Sequence, residues 1–338
     1  MNKSKIFGAV TCAALVATLA ASAREAMTPN EIVRSFEDTF DVRPEPLLED
    51  RSRICATGEF VGAPAASALS RSAMFTQVPV PVIARFSATR GDPNSHNSRE
   101  MELEFRLPGG TVQHMAMLNT PLFGTSDPAT FAQMIVAAKP DPNTGSPDVR
   151  KLHALLAAHP GAFAHSNFVT AIDAPSSYAS SAYFSIHTFR FIDAEGRTRF
   201  VRWRFLPQDQ ATTMSAEPGW TGQDALEEGL IKRLASSPVR WDMIVYLGEP
   251  ADTTDNPSVP WPQGRRHLKL GTLTITQALP GNAAVCAKMN FDPLIAADGI
   301  APADDPVLLF RSPTYGLTFT QILAHSLTPV QAAPVVGR

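Results

Sequence analysis

The alternation of apolar and polar positions is clearest over residues 101–107 (MELEFRL), where Met101, Leu103, Phe105 and Leu107 are separated by Glu102, Glu104 and Arg106. A period of two predicts a strand with one buried face and one polar face. Pro108-Gly109-Gly110 then predicts a hairpin turn, and residues 112–119 (VQHMAMLN) its return strand. Similar patterning predicts strands at 51–60 and at 78–87, the latter interrupted by prolines at its start. Residues 183–192 and 197–206 pair across Asp193-Ala194-Glu195-Gly196, and further strands fall at 241–247 and 267–278. Helical spacing appears at 28–39, where Thr28 and Glu31 look like a cap ahead of Ile32, Val33 and Phe36. Helices are also predicted at 128–138, 147–158 and 225–236. Hairpin-connected strands with helices inserted and appended predict an α+β fold, built on a closed or nearly closed antiparallel barrel.

The first residues stand outside this pattern. Two lysines precede an apolar run at 9–19, and Ala21-Ser22-Ala23 offers small residues before Arg24. This is the layout of a cleavable secretory signal over 1–23, with cleavage near Ala23 and a periplasmic or secreted single domain over 24–338. The run is about half the length that spans a bilayer, so no stable membrane anchor is expected. A net charge of −3 with 18% charged residues gives no basic surface for nucleic acid. The 29 prolines are scattered, which suits long coverings around a sheet. Cys55 and Cys286 remain after cleavage. An oxidising compartment permits a bond between them, and two buried thiols is the other reading.

Candidate chemistry is sparse. Arg311 and Tyr315 are four residues apart and share a face if their segment is helical. A guanidinium beside a phenol oxygen favours the phenolate, which is a hard ligand for ferric iron. A surface arginine stacked on a tyrosine is the plainer reading of the same spacing. His153, His159 and His165 recur every six residues, which aligns them on no helix face and makes no zinc triad. His114 shares the strand face of Leu118 and is either a pocket residue or an ordinary sheet histidine. Dinucleotide, phosphate-loop and serine-elbow motifs are absent.

Four short motifs, taken together, resemble the haem catalases. They are Ala84-Arg85-Phe86-Ser87, Asn119-Thr120-Pro121-Leu122-Phe123, His187-Thr188-Phe189-Arg190-Phe191 and Arg311-Ser312-Pro313-Thr314-Tyr315. Pro175-Ser176-Ser177-Tyr178-Ala179, Arg265-Arg266-His267, Phe291-Asp292-Pro293-Leu294 and Asp304-Asp305-Pro306 are similar to the short, exported catalase-related peroxidases. The resemblance implies a catalase-like antiparallel β-barrel with surrounding helices, and haem b buried between the barrel and a C-terminal helix. It implies Tyr315 as the iron ligand, Arg311 as the group that keeps it anionic, Arg85 on a haem propionate and Ser87 on the distal side. It also implies a peroxide substrate with an electron donor of unspecified identity, and leaves homo-oligomerisation open.

The resemblance fails on the distal side. The family's distal histidine position falls on Asp50, its upstream propionate arginine on Leu47, and its distal asparagine on Leu118, with Asn119 one residue away and facing the other way in a strand. Peroxide cleavage needs a base that later acts as an acid. A buried carboxylate can serve if its pKa rises, which makes Asp50 the candidate. A solvated loop acid paired with Arg51 or Arg53 is the alternative. The expected function is a haem-dependent peroxidase, the alternative a haem-binding protein without peroxide turnover, and the third reading a haem-free relative kept for protein interaction.

Overall fold

The computed structural model describes residues 28–40, 53–88, 99–139, 141, 143–144, 146–171, 177–208, 225–279, 286 and 289–327. Asp50, Leu47 and the signal segment lie outside them. Strands β1 (Arg53–Gly62), β2 (Val80–Ala88), β3 (Arg99–Arg106) and β4 (Val112–Leu118) form an antiparallel meander. After helices α2 (Pro128–Ala137), α3 (Val149–Ala158) and α4 (Pro160–Ala171), the sheet continues through β5 (Tyr183–Phe184), β6 (Phe189–Ile192) and β7 (Thr198–Pro207). Helix α5 (Ala225–Ser236) leads to β8 (Val239–Leu247) and the long β9 (His267–Leu279). Strand β10 (Ile300–Pro302) precedes α6 (Pro306–Leu327), and α1 (Pro29–Phe40) stands at the start.

Closure follows from the pairing order. The sheet runs β10-β6-β7-β5-β4-β3-β2-β1-β9-β8, and β7 also pairs with β8, so eight strands make a ring with β6 and β10 as an extension. A closed ring leaves no unpaired edge among its members. Gly58 sits at a register shift between β1 and β9, and a Cβ there would meet Thr274 O at 2.0 Å, so only glycine allows this approach.

The alternation in β3 decides which side is inside. Met101, Leu103 and Phe105 are fully buried within the barrel, alongside Ile54, Ala56, Ala84 and Phe86 from neighbouring strands. Phe60 packs edge-on against Phe105 at 5.5 Å, and Phe86 stacks on Trp241 at 5.9 Å. Burying an aromatic of this size stabilises by about 1.5–3 kcal/mol, so the interior is filled and carries the fold.

The outward face of β2–β4 is covered. Residues 289–297 cross it, with Ile295 O accepting from the His114 N–H at 2.9 Å and Gln113 Oε1 from the Ala297 N–H at 2.9 Å. Cys55, on the same outer face of β1, is bonded to Cys286, with Cα atoms 5.8 Å apart. The disulfide therefore resolves the two readings of these cysteines and pins the covering segment to the barrel wall. Helix α6 lies beyond, contacting α1 and α2 through the cluster of Ile32, Ala132, Ile135, Phe131 and Phe310.

Candidate functional site

Strand alternation puts Arg85 and Ser87 of β2 on the covered outer face. There Arg85 pairs in register with Glu102, and Ser87 with Glu100, on β3. Across the next ladder, Glu102 meets Ala116, Glu100 meets Leu118 and Glu104 meets His114 on β4. The cover takes much of this face out of water, so the charges on it need protein partners.

The partners form one continuous run. Asp305 caps α6, its Oδ1 accepting from the Val307 N–H at 2.9 Å and the Leu308 N–H at 3.2 Å. Its Oδ2 accepts from His187 Nδ1 at 2.7 Å, with both side chains 1% exposed. Arg311 Nη1 donates to His187 Nε2 at 3.2 Å, and its Nη2 donates to Tyr315 Oη at 2.8 Å. Tyr315 Oη donates onward to Glu102 Oε1 at 3.4 Å, and Arg85 Nε donates to Glu102 Oε2. Beside this, Ser87 Oγ donates to Glu100 Oε2 at 3.1 Å.

Donor rules fix the protons. A guanidinium only donates, so His187 Nε2 accepts and the imidazole carries its proton on Nδ1, facing Asp305. Burial pushes this histidine below its ordinary range, against the pull of Asp305, and keeps it neutral. Arg85 and Arg311 are pulled down by burial, but the neighbouring Glu102, Glu100 and Tyr315 outweigh that and hold both above the ordinary arginine range.

Burial pushes the Tyr315 phenol up to about 12, with Arg311 opposing this and Glu102 and Glu100 adding to it. The site therefore contains a neutral phenol that accepts from Arg311 and donates to Glu102. The spacing of Arg311 and Tyr315 reveals the cation and hides the two carboxylates across the gap.

The other sequence candidates sort plainly. His114 shares the outer face, but its Nε2 bonds Glu104 Oε2 at 3.1 Å and its ring lies 5.9 Å from Phe291. Asn119 is turned away, its Oδ1 accepting from the Arg99 N–H at 2.8 Å. Arg85 also lies over the Phe291 ring at 4.6 Å, and Ser312 Oγ donates to Asp292 Oδ2, tying the covering segment to α6. Glu100, Glu102, His187 and Asp305 received no role from the sequence. The alternating glutamates of β3 were the available signal for the first two, and the quoted motifs around His187 and Asp305 for the others.

Whether these residues suit a haem turns on the Tyr315 oxygen. Among the described residues no group of three or more His, Cys, Asp or Glu side chains is placed to hold a metal ion. The candidate iron donor is the phenol oxygen, backed by a guanidinium that a neutral histidine and a buried aspartate fix in place. That donor set fits a ferric porphyrin held by tyrosine. On the strand side Arg85 is already paired with Glu102.

A family model described as Catalase matches residues 51–327. A catalase-related peroxidase of Synechococcus elongatus is 40% identical over 322 residues, covering 93% of this chain and 95% of that protein. Another, from Mycolicibacterium paratuberculosis, is 31% identical over 297 residues, covering 86% of this chain and 93% of its own length. Among solved structures, a fungal catalase superposes with a TM-score of 0.71 at 18% identity, over 81% of this chain and 58% of its own. Catalase A from Saccharomyces cerevisiae gives 0.72 at 19% identity, over 80% and 60%. The chain thus spans about three fifths of those solved catalases, and at these identities they show its fold.

Proposed function

The chain belongs to the catalase family, and from that premise we propose that it is an exported, haem-b-dependent peroxidase that reduces hydrogen peroxide or an organic peroxide with electrons from a separate donor. The observation that carries this reading is the hydrogen-bonded run from Asp305 through His187 and Arg311 to Tyr315. Bound haem supplies a ferric iron at which a peroxide can be reduced. Tyr315 would hold it, and the Arg311 donor would stabilise the negative charge that the oxygen gains on losing its proton. His187 and Asp305 fix the guanidinium, so the donor needs no reorganisation. Asp50 would take the proton from the peroxide and return it to the leaving oxygen. Export is supported by the Cys55–Cys286 bond, which an oxidising compartment sustains.

A second reading, a haem-binding protein without peroxide turnover, is favoured by one observation. Leu118, opposite Glu100 on the outer face, puts an aliphatic side chain where the family resemblance places an asparagine. An aliphatic group offers a peroxide no hydrogen bond. The discriminating experiment is peroxide-dependent dye oxidation by the haem-reconstituted protein, wild type against Asp50→Asn. The proposed role predicts measurable turnover that falls by about a hundred- to ten-thousandfold in the variant. Equal rates would remove Asp50 from the mechanism, and a haem-loaded wild type without turnover would establish the second reading.

A further inference from the structure

Arg85 is the residue that the family resemblance assigns to a haem propionate, yet it is already paired. Its Nε donates to Glu102, whose side chain is 4% exposed. The other oxygen of Glu102 accepts from Tyr315 Oη, the atom proposed to hold iron. Glu100 occupies the next position on the face and accepts from Ser87. Two guanidiniums, Arg85 and Arg311, thus meet the carboxylates of Glu102 and Glu100 around the Tyr315 phenol.

We propose that Glu102, supported by Glu100, is a built-in counter-anion that takes the place of a haem carboxylate at Arg85 and the place of a cofactor at Tyr315, so that the haem-free chain is satisfied and haem must displace this carboxylate to bind. This deepens the proposed function and rests on its placing of Tyr315 and Arg85. A propionate reaching Arg85 must either displace Glu102 or share its cation. In both cases the buried Glu102 carboxylate loses or shares its closest cation, which is unfavourable. Tyr315 must also give up its acceptor before its oxygen can bind a metal. The conflict lies with the charge of Glu102, so an isosteric neutral side chain should relieve it.

The test is a haem titration followed by the Soret band, with thermal melting of the haem-free proteins in parallel. Glu102→Gln is expected to bind haem roughly tenfold or more tightly than wild type. Its haem-free form is expected to melt lower, because Arg85 has lost its anion, and added haem should raise its melting temperature more than that of wild type. Glu104→Gln removes a carboxylate from the same face that pairs with Arg106 and His114 instead, and should leave haem affinity unchanged. Equal or weaker binding by Glu102→Gln overturns the inference, as does an equal gain in Glu104→Gln. A measurement that needs no variant compares haem with its propionate dimethyl ester on the wild-type protein. The ester should bind at least as tightly as the free acid, and a clear preference for the acid overturns the inference. Tight Tyr315-dependent binding by wild type with no change in Glu102→Gln would sink this inference alone. No Soret band in either protein would sink the haem reading with it.

Discussion

At the scale of single residues, the site depends on a histidine that is kept from charging. His187 is buried between Asp305 and Arg311, and a protonated ring could not accept from the guanidinium. Its folded pKa is lowered from 6.5, so below that value the unfolded chain takes up a proton that the folded chain refuses. The stability this group contributes is present above pH 6.5 and is lost as pH falls toward the folded pKa. Unfolding midpoints measured against pH should therefore decline more steeply below 6.5 for wild type than for His187→Gln, and parallel curves would contradict the assignment. At the other extreme, Tyr315 titrates near 12 in the fold against 10.0 unfolded, so its contribution holds below pH 10 and fades as pH rises through about 12. Tyr315→Phe should lose that alkaline decline, read as the fall in melting temperature between neutral and alkaline pH. Arg85, Ser87, Arg311 and Tyr315 were singled out by the family resemblance of their short motifs, and the structure brings them together on one covered face. Glu100 and Glu102 were legible only as the polar side of a strand, since alternation says nothing about what will cover that side.

At the scale of elements, the strands followed their patterns to within a few residues, and the exceptions have local causes. The strand expected over 183–192 breaks into β5 and β6, because Ile186 adopts φ 52° immediately before His187. Helix α4 starts at Pro160-Gly161, a pair that signals a stop in sequence, although proline is also at home in a first helical turn. Strand β10 has three residues and is too short to show a period. The disulfide is the element-level tie that spacing could not choose. It joins residues 231 apart, and a loop of that length gives on the order of 3–5 kcal/mol from the unfolded state. Cys55→Ser with Cys286→Ser should lower the melting temperature clearly, and reduction of the wild type should do the same. No shift in either would show that the covering segment is held by its other contacts, those of Asp292, Ile295 and Ala297.

At the scale of the whole molecule, the barrel is a support and its filled interior does no chemistry. Closure through β7 and β8 fixes which faces point outward. The run of residues 289–297 and α6 then covers one outward face and partly shields the site on it. The fold is shared with solved catalases at 18–19% identity. The central claim is that Tyr315 holds haem. It is tested most directly by reconstituting wild type and Tyr315→Phe with haem and comparing their absorption spectra after removal of unbound cofactor. The account predicts a Soret band retained by wild type and lost in Tyr315→Phe. An undiminished band in the variant would contradict it.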